Sequence, residues 1–83
     1  MTPDVLAVEV LPEYTLLVHF ANGESRRFDM RPYLHYPAFA ALQDPALFRL
    51  AHVRHGTVAW TEEIDMAPET LYLRGMAVEG AAA

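Results

Sequence analysis

The four histidines, His19, His35, His52 and His55, are the residues whose type most directly suggests chemistry. His52 and His55 stand at a ligand spacing that works on a helix. Here they fall on a strand and its turn, where alternation sends side chains apart. No fixed spacing links them to His19 or His35, so neither a metal nor a cofactor is expected. Glu62, Glu63 and Asp65 form an acidic run. Paired carboxylates perform acid–base work only at defined separations inside a cleft. A run that follows a strand reads instead as a solvated corner. Asp65, just before Pro68, and Asp29, at a strand end, are placed to accept backbone N–H groups of their loops. Ser25 is the one serine and has no nucleophile-elbow context. The chain has no cysteine, which excludes disulfides, thiolate sites and a thiol nucleophile. Its glycines stand singly, so there is no phosphate-cradling loop. The expectation is a chain without enzymatic activity and without catalytic, cofactor-binding or metal residues. What remains is Tyr33, His35 and Tyr36, set between Pro32 and Pro37, which could anchor a partner.

The elements that must position these groups are legible from periodicity. Val5–Leu11 reads as a first strand, with Leu6, Val8 and Val10 on one face. Pro12-Glu13 marks a turn, and Tyr14–Phe20 follows as an antiparallel partner. Asn22-Gly23 is a strong hairpin signal. A two-residue loop there pairs Leu17 with Phe28 and leaves Leu16 facing Asp29. A three-residue loop, Ala21-Asn22-Gly23, pairs Leu16 with Phe28 and Tyr14 with Met30. Directly opposed residues share a face, so the longer loop gathers the large apolar groups on one side. It requires Gly23 in the left-handed conformation, and Gly23→Val is expected to destabilise the protein. Ala38–Leu42 reads as a short helix, with Phe39 and Leu42 on one side. Asp44-Pro45 is a helix start, with Asp44 as N-cap and Pro45 in the first turn. Val53–Trp60 reads as a second hairpin about a two-residue His55-Gly56 turn that pairs Val53 with Val58. Pro68 opens a last short helix with Leu71 and Tyr72 facing inward. Residues 75–83 read as a frayed tail. The fold expected is a single α+β domain over 1–83, with an antiparallel sheet of about five strands packed on short helices.

With 83 residues there is room for one core only. A net charge of −5 repels phosphate backbones, which argues against nucleic-acid binding by this chain alone. Arg26 and Arg27 are adjacent on a strand and point to opposite faces, so with Arg31 they do not make one basic patch. The Met1–Asp4 start is not a signal peptide, and no apolar run suffices for a membrane span. A cysteine-free small domain of this kind is expected in the cytoplasm, with no membrane partner. The apolar fraction of 53% leaves surface that a partner or a second copy could cover.

The sequence resembles the bacterial Domain of Unknown Function 2442 family from about Val8 to Tyr72. The resemblance rests on Leu11-Pro12-Glu13-Tyr14-Thr15-Leu16, Phe20-Ala21-Asn22-Gly23-Glu24 and Phe28-Asp29-Met30-Arg31-Pro32-Tyr33-Leu34. It continues through Phe48, Gly56-Thr57-Val58-Ala59-Trp60 and Asp65-Met66-Ala67-Pro68-Glu69-Thr70-Leu71-Tyr72. It implies a small α+β fold with an antiparallel sheet and no known activity, cofactor or catalytic residue. It also implies relatives with an added helix-turn-helix domain, which this chain is expected to lack. Other relatives are implied to be encoded beside a small protein, in arrangements like toxin–antitoxin pairs. Two departures stand out: the loop before Gly56 is shorter, and Thr61-Glu62-Glu63 replaces the Pro-Asn-Gly that often follows the tryptophan. The leading functional expectation is a non-enzymatic protein-interaction or regulatory module, antitoxin-like towards a small protein. The alternatives are a self-associating homodimer and a small metal protein or enzyme using His52 and His55.

Overall fold

The computed structural model describes residues 2–78. Seven strands form two antiparallel sheets. The four-stranded sheet contains β1 (Val5–Leu11), β2 (Thr15–Phe20), β3 (Ser25–Asp29) and β7 (Met76–Ala77), in that order. The three-stranded sheet contains β4 (His52–Arg54), β5 (Thr57–Ala59) and β6 (Asp65–Met66). Between β3 and β4 the chain makes two 3-10 segments, Arg31–Tyr33 and Pro37–Gln43, and the helical turn α1 (Pro45–Phe48). Helix α2 (Pro68–Arg74) lies between β6 and β7. The α+β class is as expected, with seven strands rather than about five. The added pairings are β6 and β7, each too short to show alternation.

The central hairpin has the three-residue loop. Leu16 pairs with Phe28 and His19 with Ser25. The Phe20 N–H donates to the Glu24 carbonyl at 2.8 Å, and Met30 N–H to Tyr14 at 2.9 Å. Gly23 has φ +88°, and a Cβ there would meet open space. The demand for glycine is therefore conformational, since an L-residue in this region is strained by about 1–2 kcal/mol. The register buries Leu16, Val18, Phe20, Phe28 and Met30 on one face. The second hairpin pairs Val53 with Val58 about His55 and Gly56, with φ +52° and +76°.

Two readings are corrected. Leu6 does not share the face of Val8 and Val10: the β1–β2 register shifts between Val5 and Ala7. Leu6 is the extra residue of this bulge and is exposed, while Val5 takes the core position opposite Phe20. The reading of 75–83 as a frayed tail also does not hold for residues 75–78. Met76 and Ala77 pair with Arg27 and Arg26, and Val78 N–H donates to the Ser25 carbonyl at 3.0 Å. The remainder of that tail, from residue 79, lies outside the described residues.

One core joins both sheets and the helices. Val5, Leu16, Val18, Phe20, Phe28 and Met30 meet Val58, Trp60 and Met66, together with Leu42, Phe48 and Leu71. The Asp44 side chain caps α1 by accepting from Ala46 N–H at 2.9 Å. Arg26 and Arg27 do point to opposite faces. Arg26 stacks on the Tyr72 ring, its Cζ 3.9 Å from the centroid, and pairs with Glu24 at 2.8 Å. Asn22, Glu24, Arg26 and Tyr72 thus fasten the central turn to α2.

Candidate functional site

The histidines are dispersed. His52 Nδ1–H donates to the Leu50 carbonyl at 2.8 Å, and His55 sits in the β4–β5 turn. Among the described residues, no three His, Asp or Glu side chains come together as a metal would require. Glu62, Glu63 and Asp65 are exposed. Asp29 accepts from the Arg31 N–H at 2.9 Å, as expected of it. Among the described residues the Asp65 side chain accepts no backbone N–H; in the turn before it, Thr61 Oγ1 accepts from Glu63 and Ile64 N–H, both at 3.1 Å.

One polar cluster was not singled out by sequence reasoning. His19 Nδ1 lies 2.7 Å from Ser25 Oγ, and His19 Nε2 lies 2.8 Å from Glu9 Oε2. The carboxylate accepts from Nε2–H, and in that tautomer Nδ1 accepts a hydrogen bond from the Ser25 hydroxyl. The composition is that of a hydrolase triad, but the exposure is inverted. Ser25, the would-be nucleophile, is 7% exposed. The Glu9 side chain, which ought to be sheltered, is 60% exposed. The cluster is a clamp across β1, β2 and β3. Its signal was present in the sequence: the three-residue loop that pairs Leu16 with Phe28 also pairs His19 with Ser25.

Two surface features have the form of recognition sites. The first is an open groove of about 620 Å³ between the β1–β2 turn and α1. Val10, Leu11, Tyr14, Pro45 and Phe48 line it, with Glu13 and Arg49 as its charged members. Glu13 and Tyr14 both have positive φ, +62° and +57°, outside the ordinary range of such residues. Tyr14 offsets part of that strain. Its ring meets Phe48 edge-on at 5.1 Å, and its hydroxyl donates to the Gln43 carbonyl. Gln43 in turn donates from Nε2 to the Leu34 carbonyl at 2.8 Å, which ties this wall to the segment after β3.

The second feature starts on that segment. The Tyr33 ring stacks on buried Phe28 at 5.3 Å, Tyr36 lies 6.2 Å from Tyr33, and His35 lies 4.3 Å from Tyr36. The series climbs from the core to solvent. Tyr33 is half-buried, His35 is exposed, and Tyr36 is 49% exposed. Pro32 and Pro37 bracket it and limit the backbone between them.

The sequence model of a family of proteins of unknown function, DUF2442, matches residues 5–77. The chain belongs to this family. No curated protein matches it. Among solved structures it is similar to a protein of Nitrosomonas europaea ATCC 19718, described as a putative DNA binding protein, with 28% identity and a TM-score of 0.76. That similarity covers 87% of this chain and 48% of the other, so the chain spans about half the length of the solved structure. Within the DUF2442 region, the motif Gly56–Trp60 contains β5 and delivers Trp60 to the core. After Trp60, the Thr61 hydroxyl closes the turn by accepting from Glu63 and Ile64 N–H.

Proposed function

We propose that this DUF2442 chain is a non-enzymatic protein-interaction or regulatory module, cytoplasmic and antitoxin-like towards a small protein. Its contact surface in this reading is the ledge formed by Tyr33, His35 and Tyr36. The exposure of Tyr36 at the end of a stack rooted in the core carries the reading. Rigid, half-exposed aromatic side chains cost little entropy to dock and are favoured binding anchors. The small-protein partner follows from the gene arrangements implied by the family resemblance.

DNA binding, the description borne by the Nitrosomonas europaea protein, has less support in this chain. The net charge is −5, and Arg26 and Arg31 are already paired with Glu24 and Asp29. Counterion release needs several free cations along one face.

The test is affinity capture from the native host, comparing wild type with Tyr36→Ala and His35→Ala. One small protein should be enriched by wild type and lost from both variants, with melting temperatures unchanged. Recovery of no partner, or equal recovery by all three baits, overturns the reading.

A further inference from the structure

We propose that the outer face of the four-stranded sheet takes a second copy of this chain, face to face about a two-fold axis parallel to β2. The inference does not depend on the aromatic ledge, which lies elsewhere on the surface. In β2 the inward residues Leu16, Val18 and Phe20 are buried, while the outward ones, Thr15, Leu17 and His19, are half-buried. The contacts of α2 with the sheet run through Phe20 and Arg26, on the inward side. Phe48 of α1 is part of the core, on that same side.

The outward residues are in register. Glu9 pairs with Leu17, Leu17 with Arg27, and Arg27 with Met76, so these four make one row across the sheet. Directly paired residues share a face. An acid therefore stands one strand to one side of Leu17, and a base one strand to the other, about 10 Å apart at ordinary strand spacing. The Arg27 side chain has no ion-pair or hydrogen-bond partner among the described residues. Glu9 gives one oxygen to His19, and its other oxygen has no hydrogen-bond partner among the described residues. Leu17 is half-buried, and Met76 is 76% exposed.

A two-fold axis parallel to the strands exchanges left and right while keeping each row at its own height. It sets Leu17 on Leu17 of the second copy, Glu9 on the second copy's Arg27, and Arg27 on its Glu9. This reciprocity is the defining property of an isologous interface. The rows above and below bring Thr15 onto Thr15 and His19 onto His19, with Asp29 kept by Arg31 of its own chain. An axis across the strands would instead set Glu9 on Glu9 and Arg27 on Arg27. The charges thus select one of the two stackings.

Sedimentation at micromolar concentration tests this with four proteins: wild type, R27E, E9R and the double reversal E9R/R27E. Circular dichroism first establishes that each is folded. Wild type should be a dimer, and each single reversal should weaken it by at least about tenfold through like-charge contact. The double reversal should restore it, since each copy again offers one acid and one base. R27E is the cleaner single variant, because E9R also removes the His19 contact. A monomeric wild type overturns the proposal. So does a dimer that survives R27E, or a double variant no better than the singles.

Discussion

At the scale of single residues, the structure shows where local preference has been overridden. His55 occupies the first position of a two-residue turn at φ +52°, a conformation that suits Asn far better than His. Its ring makes no hydrogen bond among the described residues that would offset this. His55→Asn should therefore raise stability by about 0.5–1 kcal/mol, seen as a melting temperature higher by a few degrees. An unchanged or lower value would mean that the His55 ring has a stabilising contact in solution.

The carboxylates of Asp29 and Glu24 make a pH argument of the same kind. The Arg31 side chain donates to Asp29 at 2.9–3.2 Å and holds its carboxyl below the usual range. The Tyr72 hydroxyl first, then Arg26 and Asn22, does the same for Glu24. A pKa lowered in the folded state means that the unfolded chain takes up protons more readily. The stabilisation is complete above the unfolded value of about 4 and is lost as pH falls through the folded value. Melting temperature should therefore decline below about pH 4, and Asp29→Asn together with Glu24→Gln should flatten that decline. A double variant that keeps the full acid dependence would assign it to other groups.

At the scale of elements, alternation and turn chemistry revealed β1 to β5 and the starts of both helices. Hydrophobic parity alone separated the two candidate loops at Asn22-Gly23, because only one of them gathers Leu16, Phe28 and Met30. Parity failed at Leu6, since a bulge shifts the face without changing composition. It was silent on β6 and β7, where two residues carry no period. The clamp of Glu9, His19 and Ser25 was half legible. The His19–Ser25 pair follows from the loop register, while Glu9 depends on where β1 is set by its bulge. The Tyr33–His35–Tyr36 segment was legible by composition, but its stacking on Phe28 needed the fold.

Gly75 shows why β7 could not be read locally. Its φ is an ordinary −78°, so no turn demands glycine. A Cβ there would lie 2.5 Å from the Leu71 carbonyl oxygen and 3.1 Å from Arg26 Cβ. The residue is small because the Leu71 carbonyl of α2 closes in on it first, and Arg26 of β3 second, where the chain leaves the helix to pair as β7. Gly75→Ala should cost about 1–3 kcal/mol in denaturant unfolding, as overpacking does. Amide exchange at Val78 should accelerate with it, since that N–H is held by Ser25. If Val78 keeps its protection, β7 docks independently of the α2 approach.

At the scale of the whole molecule, the two sheets have separate hydrogen-bond ladders and a shared interior. Trp60, which follows β5, is 2% exposed and donates from Nε1 to the Phe48 carbonyl at 3.1 Å. Its ring also lies 6.1 Å from that of Phe48, which in turn meets Tyr14 beside β2. Val5 N–H, at the start of β1, donates to the Gly56 carbonyl at 2.9 Å in the other hairpin. Neither sheet can leave without exposing the apolar face of the other, and a chain of this size has no second core to fall back on. Unfolding should therefore be one transition. Trp60 is the single tryptophan, so its fluorescence reports on the part of the shared core where β5 ends against α1. Amide exchange at Val18 and Phe28 reports on the four-stranded sheet. In denaturant the two probes should give the same midpoint and the same free energy. A Trp60 transition that precedes loss of protection at Val18 would show that the core opens first between β5 and α1, while the four-stranded ladder still holds.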